Sequence, residues 1–397
     1  MTTTTTDESE VPEVPTDPAP ATTSDTFSPA RLLRAYGPLL AIGVVALLLL
    51  VWAPNSLSAF RLGNLGKYAC WAMAAVGIGL AWGRGGMLVL GQGVFFGLGG
   101  YAMAMHMKLE AAGPGEVPDF MVLYGDATMP GWWEPFRSGA FTLFAIVALP
   151  TIVSFVLGYA ILKRKVKGAY FAILTQALAV AFATLLIATI KQTGGFNGLN
   201  TFTTFFGQNL YDPATKRNLY MIAAGLLVVF MVIVWQLYRS RYGELLVATR
   251  DQEERIRFLG YDPANIKLFA FVVAAITASV GGAMFAPIVG IISPSNVDAA
   301  ASIMLLAGVA LGGRASLLGP ALGALAVGYG QSTLSERFPT QWTYFQGALF
   351  IVVILFLPGG IASLWPKLKG LWPTRSTDTD PTPAPTTAPT TQQEAVA

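Results

Sequence analysis

The chain has 397 residues, 54% of them apolar and only 12% charged, with a mean hydropathy of +0.56. That is about half the charge density of a soluble domain, near ~25%, and it points to several apolar helices in a lipid bilayer. A formal net charge of +3 gives no argument for a nucleic-acid partner, and one cysteine excludes an internal disulfide or a cysteine-based metal cluster.

Residues 1–30 are rich in Thr, Pro, Asp and Glu. They cannot bury enough apolar surface to offset chain entropy and are expected to form a disordered tail. RLLRAY, an apolar run and WAPNSLSA then imitate a signal peptide, but they follow a long acidic stretch and read as a first spanning helix. Ten spans are predicted within a membrane domain at 31–366: Pro38–Ala53, Asn64–Trp82, Met87–Met107, Ala140–Leu162, Ala169–Ile190, Leu219–Tyr238, Leu268–Ile291, Ala299–Leu311, Leu317–Leu334 and Trp342–Leu357. The third and eighth are glycine-interrupted or short, the pattern of half-helices lining a cavity. Residues 367–397, again rich in Thr and Pro, are expected to be a second disordered tail. The fold class is therefore an all-α polytopic membrane protein.

Orientation follows from the basic residues. With the N-terminus inside, 17 of the 25 bases fall in inner loops and 8 outside, so both termini are expected to be cytoplasmic. The long loop from Lys108 to Ser138 is then external, with Trp132–Trp133 suited to the membrane interface. GRGGMLVLGQG (Gly83–Gly93) and GRASLLGPALG (Gly313–Gly323) echo each other, a hint of repeated helix units.

The charges concentrate between the sixth and seventh spans, in VATRDQEERIRFLGYDPANIKLFAF (Val247–Phe271), which holds four acids and four bases. The spacing predicts a short amphipathic helix over Asp251–Gly260, with Ile256 and Leu259 on one face, Gly260 as its stop and Asp262–Pro263 opening the next turn. Tethered at both ends to spans, in a cytoplasmic loop of about 240–267, it suits a docking peg for an intracellular partner.

Enzymatic chemistry is not expected. No G-x-x-x-x-G-K-[ST] loop occurs to cradle ATP phosphates, and the sole histidine, His106, has no second metal-ligand type beside it. The spans hold almost no charges at depth, with Lys67, Asp298 and Glu336 near span ends, which disfavours an ion-coupled carrier and favours a neutral or zwitterionic solute. Gln92, between two glycines and before Phe95 and Phe96, is the deepest polar residue of the third span. Tyr170, Thr175 and Gln176 occupy a comparable place in the fifth, and GGFNGLN puts Asn197 and Asn200 at the outer mouth. Amide side chains both donate and accept hydrogen bonds, as a passage for a small amide requires.

RDQEERIRFLGY, KLFAF, GGAMFAPIVGIISP, GGRASLLGP and FLPGGI follow one another in order, preceded by LGQGVFFGLGGYAM, RKVKGAYFAILTQALAV and GGFNGLN. Together these resemble the permease subunits of ABC importers of the branched-chain amino-acid, LivM-like family, over most of the chain from about Gly63 to Ile361. VPDFMV, TQAL and RIRFLGY are more narrowly similar to its urea-importer branch. The resemblance implies a type I/II ABC-importer-like bundle in a bacterial inner membrane, forming half of a translocation pathway for urea. It also implies a second homologous permease, two cytoplasmic ATP-binding subunits and an extracytoplasmic solute-binding protein, with no cofactor on this chain. The charged segment would be the coupling loop, with Arg250, Asp251, Glu253, Glu254, Arg257 and Gly260 serving the ATPase. Glu254 and Gly260 keep the family motif's Glu-to-Gly spacing, whereas Arg255 and Ile256 stand where the motif has two alanines. Two alternatives are a permease of the same kind for branched-chain amino acids or short amides, and a stand-alone urea channel.

Overall fold

The computed structural model describes residues 29–125, 128–166, 168–338, 341–356 and 359–361. The predicted tail at 367–397 and nearly all of that at 1–30 lie outside the described residues, as do Lys167, Lys367, Lys369 and Arg375 of the charge argument.

α1 (Pro29–Leu47) passes through a wide turn at Leu48–Trp52 into α2 (Ala53–Ser56), and α3 (Ala59–Ile78) widens similarly over Gly79–Arg84. α4 (Gln92–Ala112), the short α5 (Asp119–Tyr124), α6 (Gly139–Lys163), α7 (Ala169–Ala188) and α8 (Ile190–Thr193) follow. Three two-residue strands come next, β1 (Leu199–Asn200), β2 (Thr204–Phe205) and β3 (Gln208–Asn209). Beyond them run α9 (Pro213–Arg239), α10 (Arg241–Asp251), α11 (Glu253–Phe258), α12 (Pro263–Val289) and β4 (Ile291–Ile292). α13 (Ala299–Gly312), α14 (Gly319–Arg337) and α15 (Trp342–Phe356) complete the described chain.

Among the described residues, six stretches are long and apolar enough to cross a membrane: Tyr36–Ser56, Gly139–Lys163, Ala169–Ala188, Pro213–Arg239, Pro263–Val289 and Pro294–Gly312. The other four predicted spans are also helices, α3, α4, α14 and α15. α3 and α14 are diluted by polar residues and glycine, and α15 has only 15 residues.

α12 is the hub. It packs on α3, α4 and α6, while α14 joins α3 to α13 and α9 closes the far side of α3. Lipid is as apolar as leucine, so helices in a membrane associate through close packing rather than hydrophobic exclusion. Small residues provide it. Gly99 of α4 lies against the Ser279 carbonyl of α12, and Gly282 of α12 lies against the Phe96 carbonyl of α4, each with no room for a Cβ. Aromatic rings fill the remaining gaps: Phe95 meets Phe271 edge-on at 5.4 Å, and Phe96 meets Phe285 at 5.3 Å.

The two ends of the bundle differ. At one, which we call the basic end, Lys163 pairs with Asp262, Arg84 lies over Tyr238, and Arg314 lies over Trp82. At the opposite end Lys108 pairs with Asp119 at 2.9 Å, Arg217 donates to Asn55, and β1 pairs antiparallel with β4, Leu199 opposite Ile292.

Three expectations are refined. The third span is not helical from Met87: Met87–Gly91 is irregular and α4 starts at Gln92, because Thr175 Oγ1 takes the Leu90 N–H that a helix would have used internally. GGFNGLN, placed at the outer mouth as a source of Asn197 and Asn200, also supplies strand β1. The predicted single helix at Asp251–Gly260 is two, α10 and α11, broken at Gln252 (φ −145°, ψ 74°).

Candidate functional site

The charged segment forms a jutting corner at the basic end. α10 is capped by Ser240, whose Oγ accepts from the Gly243 N–H, and it is tied to α12 by a hydrogen bond from the Tyr242 hydroxyl to the Ile266 carbonyl at 2.8 Å. α11 ends in a Schellman motif: the Tyr261 N–H donates to Ile256 O and the Gly260 N–H to Arg257 O. Gly260 adopts φ +83°, the left-handed conformation a side chain would strain, so the predicted stop residue has a conformational cause. Asp262 then caps α12 through the Ala264 N–H, ahead of Pro263.

The predicted pairing of Ile256 with Leu259 is corrected. Ile256 is 5% exposed, but α11 stops at Phe258, which turns Leu259 outward. Phe258 at 89% exposure, Leu259 at 70% and Tyr261 together form an apolar knob at the corner. Sequence reading weighted the charges and passed over Phe258; the signal was FLGY, two large apolar residues directly before a helix-ending glycine.

The charges brace that knob. Glu253 receives Arg257 and Lys267, each at 2.9 Å, and Glu254 lies 3.8 Å from Arg257. Arg250 differs from these: its Nη1 donates to the Gly83 carbonyl at 2.7 Å while Nε and Nη2 hold Asp251. The guanidinium therefore joins α10 to the end of α3. Its hydrogen bonds hold the Asp251 carboxyl below the ordinary carboxylate range, and Lys163 does the same for Asp262. Both acids stay ionised at neutral pH, and their pairing is lost only as pH falls through these depressed values.

Gly83 also lies against the Arg314 backbone, with no room for a Cβ between them. The two echoing Gly-Arg segments thus meet, each joining a helix that ends there to one that starts nearby, α3 to α4 and α13 to α14. Deeper in the bundle, α4 and α13 begin against each other. The Gly93 N–H donates to Ser302 Oγ at 3.0 Å, and Gln92 Nε2 donates to the Ala274 carbonyl at 2.5 Å. Ala274 is about three turns into α12, ~16 Å from its first residue, so α4 and α13 both begin well inside the bundle rather than at its end. SPSNVD, which caps the approach to α13 through Ser293, Asn296 and Asp298, was the legible sign of the second of these starts.

Beside this junction lies an amphipathic cavity of about 280 Å³. Trp71, Phe96 and Leu305 form its apolar wall; Ser295, Asn296, Gln331 and Gln346 provide the polar one. The Gln331 side-chain oxygen is buried without a hydrogen-bond partner, and Lys67 lies over the Trp71 ring at 4.8 Å. Of the eight residues predicted for the passage, Phe96 alone lines this cavity. Gln92 and Thr175 fasten the irregular Met87–Gly91 segment, and Phe95 is packed on Phe271. Gln176 is partly buried with its side-chain oxygen unpaired, and Tyr170 is 77% exposed on the bundle's outside. Asn197 and Asn200 share a separate depression at the opposite end with Lys108, Asp119 and Tyr124.

Membrane-length helices, two helices that begin deep inside the bundle and a polar-walled cavity beside their starts define a polytopic membrane transport protein. Residues 61–357 match the model of the family described as the branched-chain amino acid transport system permease component, and the chain belongs to that family of ABC-type permeases. It is 28% identical over 319 residues to the high-affinity branched-chain amino acid transport system permease protein LivM of Escherichia coli, covering 74% of this chain and 68% of the relative. LivM of Salmonella typhimurium matches equally. The autoinducer 2 import system permease protein LsrC of Yersinia pestis is 25% identical over 215 residues, covering 51% of this chain and 60% of LsrC. No solved structure matches.

Proposed function

We propose that this chain is the permease half of an ATP-driven importer for urea in a bacterial cytoplasmic membrane, with ten spans and the basic end in the cytosol. It works with a second homologous permease, two cytoplasmic ATP-binding subunits and an extracytoplasmic solute-binding protein. The ATP-binding subunits grip the Phe258–Tyr261 knob. Their movement swings α10, and Arg250 carries that swing to Gly83 and onward through Met87–Gly91 to the start of α4. The cavity beside that start opens and closes as α4 and α13 shift, and Asn197 and Asn200 receive solute at the outer mouth.

The observation that supports urea is the cavity wall: its lining residues carry no formal charge and include three side-chain amides. A neutral molecule with donors and an acceptor finds partners there without paired ions. A second reading, a branched-chain amino acid, is favoured by the Lys67 ammonium behind Trp71, placed to attract a carboxylate, and by the cavity's apolar half.

One experiment separates them. In the reconstituted importer, Lys67→Met is expected to leave labelled urea uptake within twofold, and leucine is expected not to compete. Leucine uptake that falls at least tenfold in the variant, with no urea transport in either protein, establishes the amino-acid reading. Urea flux from this chain alone in liposomes without nucleotide establishes a channel.

A further inference from the structure

Three spans meet water together at the basic end: α6 finishes at Lys163, α7 begins at Ala169 and α12 begins at Pro263. Between α6 and α12 lies an open pocket of about 430 Å³, lined by Lys163, Lys165, Arg257 and Asp262 and, from the knob, by Gly260 and Tyr261. α6 has 25 residues and a length of ~37 Å at 1.5 Å per residue, more than a ~30 Å hydrocarbon layer. Its basic last turn therefore stands at headgroup depth. Lys165 is the unusual member of the pocket. α6 closes in a Schellman motif, with the Lys165 N–H donating to the Leu162 carbonyl and the Val166 N–H to the Ile161 carbonyl. Lys165 takes the left-handed position of that motif at φ +59°, where glycine alone is free of strain. Such strain in a non-glycine residue is kept where the side chain has a use.

The pocket's positive charge is accessible and only partly spent. Lys165 is exposed, and among the described residues its ammonium has no ion-pair or hydrogen-bond partner. Lys163 pairs with Asp262 but keeps 37% of its side chain exposed, and an ammonium has two donors left after one such bond. Arg257 is held by Glu253 and Glu254, so the free charge belongs to the two lysines. An apolar strip leads away from them along the outside of α6. Phe155, Tyr159 and Lys163 stand four residues apart on one face. The two rings are 52% and 50% exposed and stack at 6.0 Å, and the Lys163 ammonium lies over Tyr159 at 5.6 Å. A free phosphate or an acidic protein segment would use the cations and leave the strip bare, whereas a lipid with an anionic head uses both. We propose that the pocket binds one anionic diacyl glycerophospholipid of the leaflet at the basic end. Its phosphate accepts from Lys163 and Lys165, and an acyl chain lies along Tyr159 and Phe155.

The test is native mass spectrometry of the full chain, purified in detergent and titrated with dioleoyl phosphatidylglycerol or dioleoyl phosphatidylcholine. One phosphatidylglycerol is expected to bind at least tenfold more tightly than phosphatidylcholine. Lys165→Gly relieves the left-handed backbone while removing the cation, so the thermal midpoint should hold or rise. Phosphatidylglycerol binding should nevertheless weaken about fivefold, the ~1 kcal/mol that one basic residue contributes beside anionic lipid. Lys165→Arg should bind as the unaltered chain does. Arg241→Gln removes an exposed cation at the same end but outside the pocket, and should leave the affinity unchanged. Millimolar inorganic phosphate should not compete, because a free anion gains nothing from the strip. Equal affinity for the two lipids, no more weakening by Lys165→Gly than by Arg241→Gln, or displacement by phosphate would overturn the proposal. So would loss of the bound lipid when the ATP-binding subunits join, which would assign the pocket to an acidic surface of that partner.

Discussion

Replacing Phe258 and Leu259 together by serine is expected to lower ATP-driven uptake at least tenfold while the chain still accumulates in the membrane. Both side chains are exposed, so their loss removes little from the bundle itself. Burying one such side chain on docking contributes about 1.5–3 kcal/mol, and each ~1.4 kcal/mol is tenfold in affinity. Copurification with the ATP-binding subunits should fall with uptake. Undiminished uptake and unchanged copurification would mean that the knob docks nothing.

The second large effect is on the bundle. Gly282→Leu is expected to destabilise the protein by more than the ~1–3 kcal/mol usual for overpacking, because the obstacle is not a side-chain end that can swing away. A Cβ at Gly282 meets the backbone carbonyl of Phe96, so α4 and α12 must separate. The measurement is the thermal midpoint in detergent, which should drop by several degrees, or failure to recover a monodisperse protein. Gly225→Ala on α9, where a Cβ meets nothing within 4 Å, is the matched control and should change the midpoint little. Equal midpoints for the two variants would contradict the close-packed α4–α12 interface.

Apolar runs and breaker residues made the helices legible, and the Asp262–Pro263 start and the Gly260 stop could be read because each has a local chemical cause. What sequence reading missed depends on contacts distant in the chain. Thr175 prevents a helix over Met87–Gly91 from 85 residues away, and Arg250 reaches Gly83 across 167. The same holds for the cavity. Trp71, Asn296 and Gln331 come from α3, the approach to α13, and α14, and no spacing along the chain brings them together. Gln92 stood out as a deep amide, but depth alone does not tell an amide facing a cavity from one bonded to a neighbouring helix, and its donor is taken by Ala274.

Arg250 is where the coupling account is most exposed to test. The assembled importer carrying Arg250→Met should be reconstituted, and ATP hydrolysis and solute uptake measured in the same vesicles. Methionine keeps much of the apolar stem and removes the hydrogen bond to Gly83, so the knob and its docking remain while the link to α3 and α4 is cut. The account predicts hydrolysis within about twofold of the unaltered complex and uptake at least tenfold lower, an order of magnitude corresponding to ~1.4 kcal/mol of lost coupling. Uptake that keeps pace with hydrolysis in the variant would contradict it.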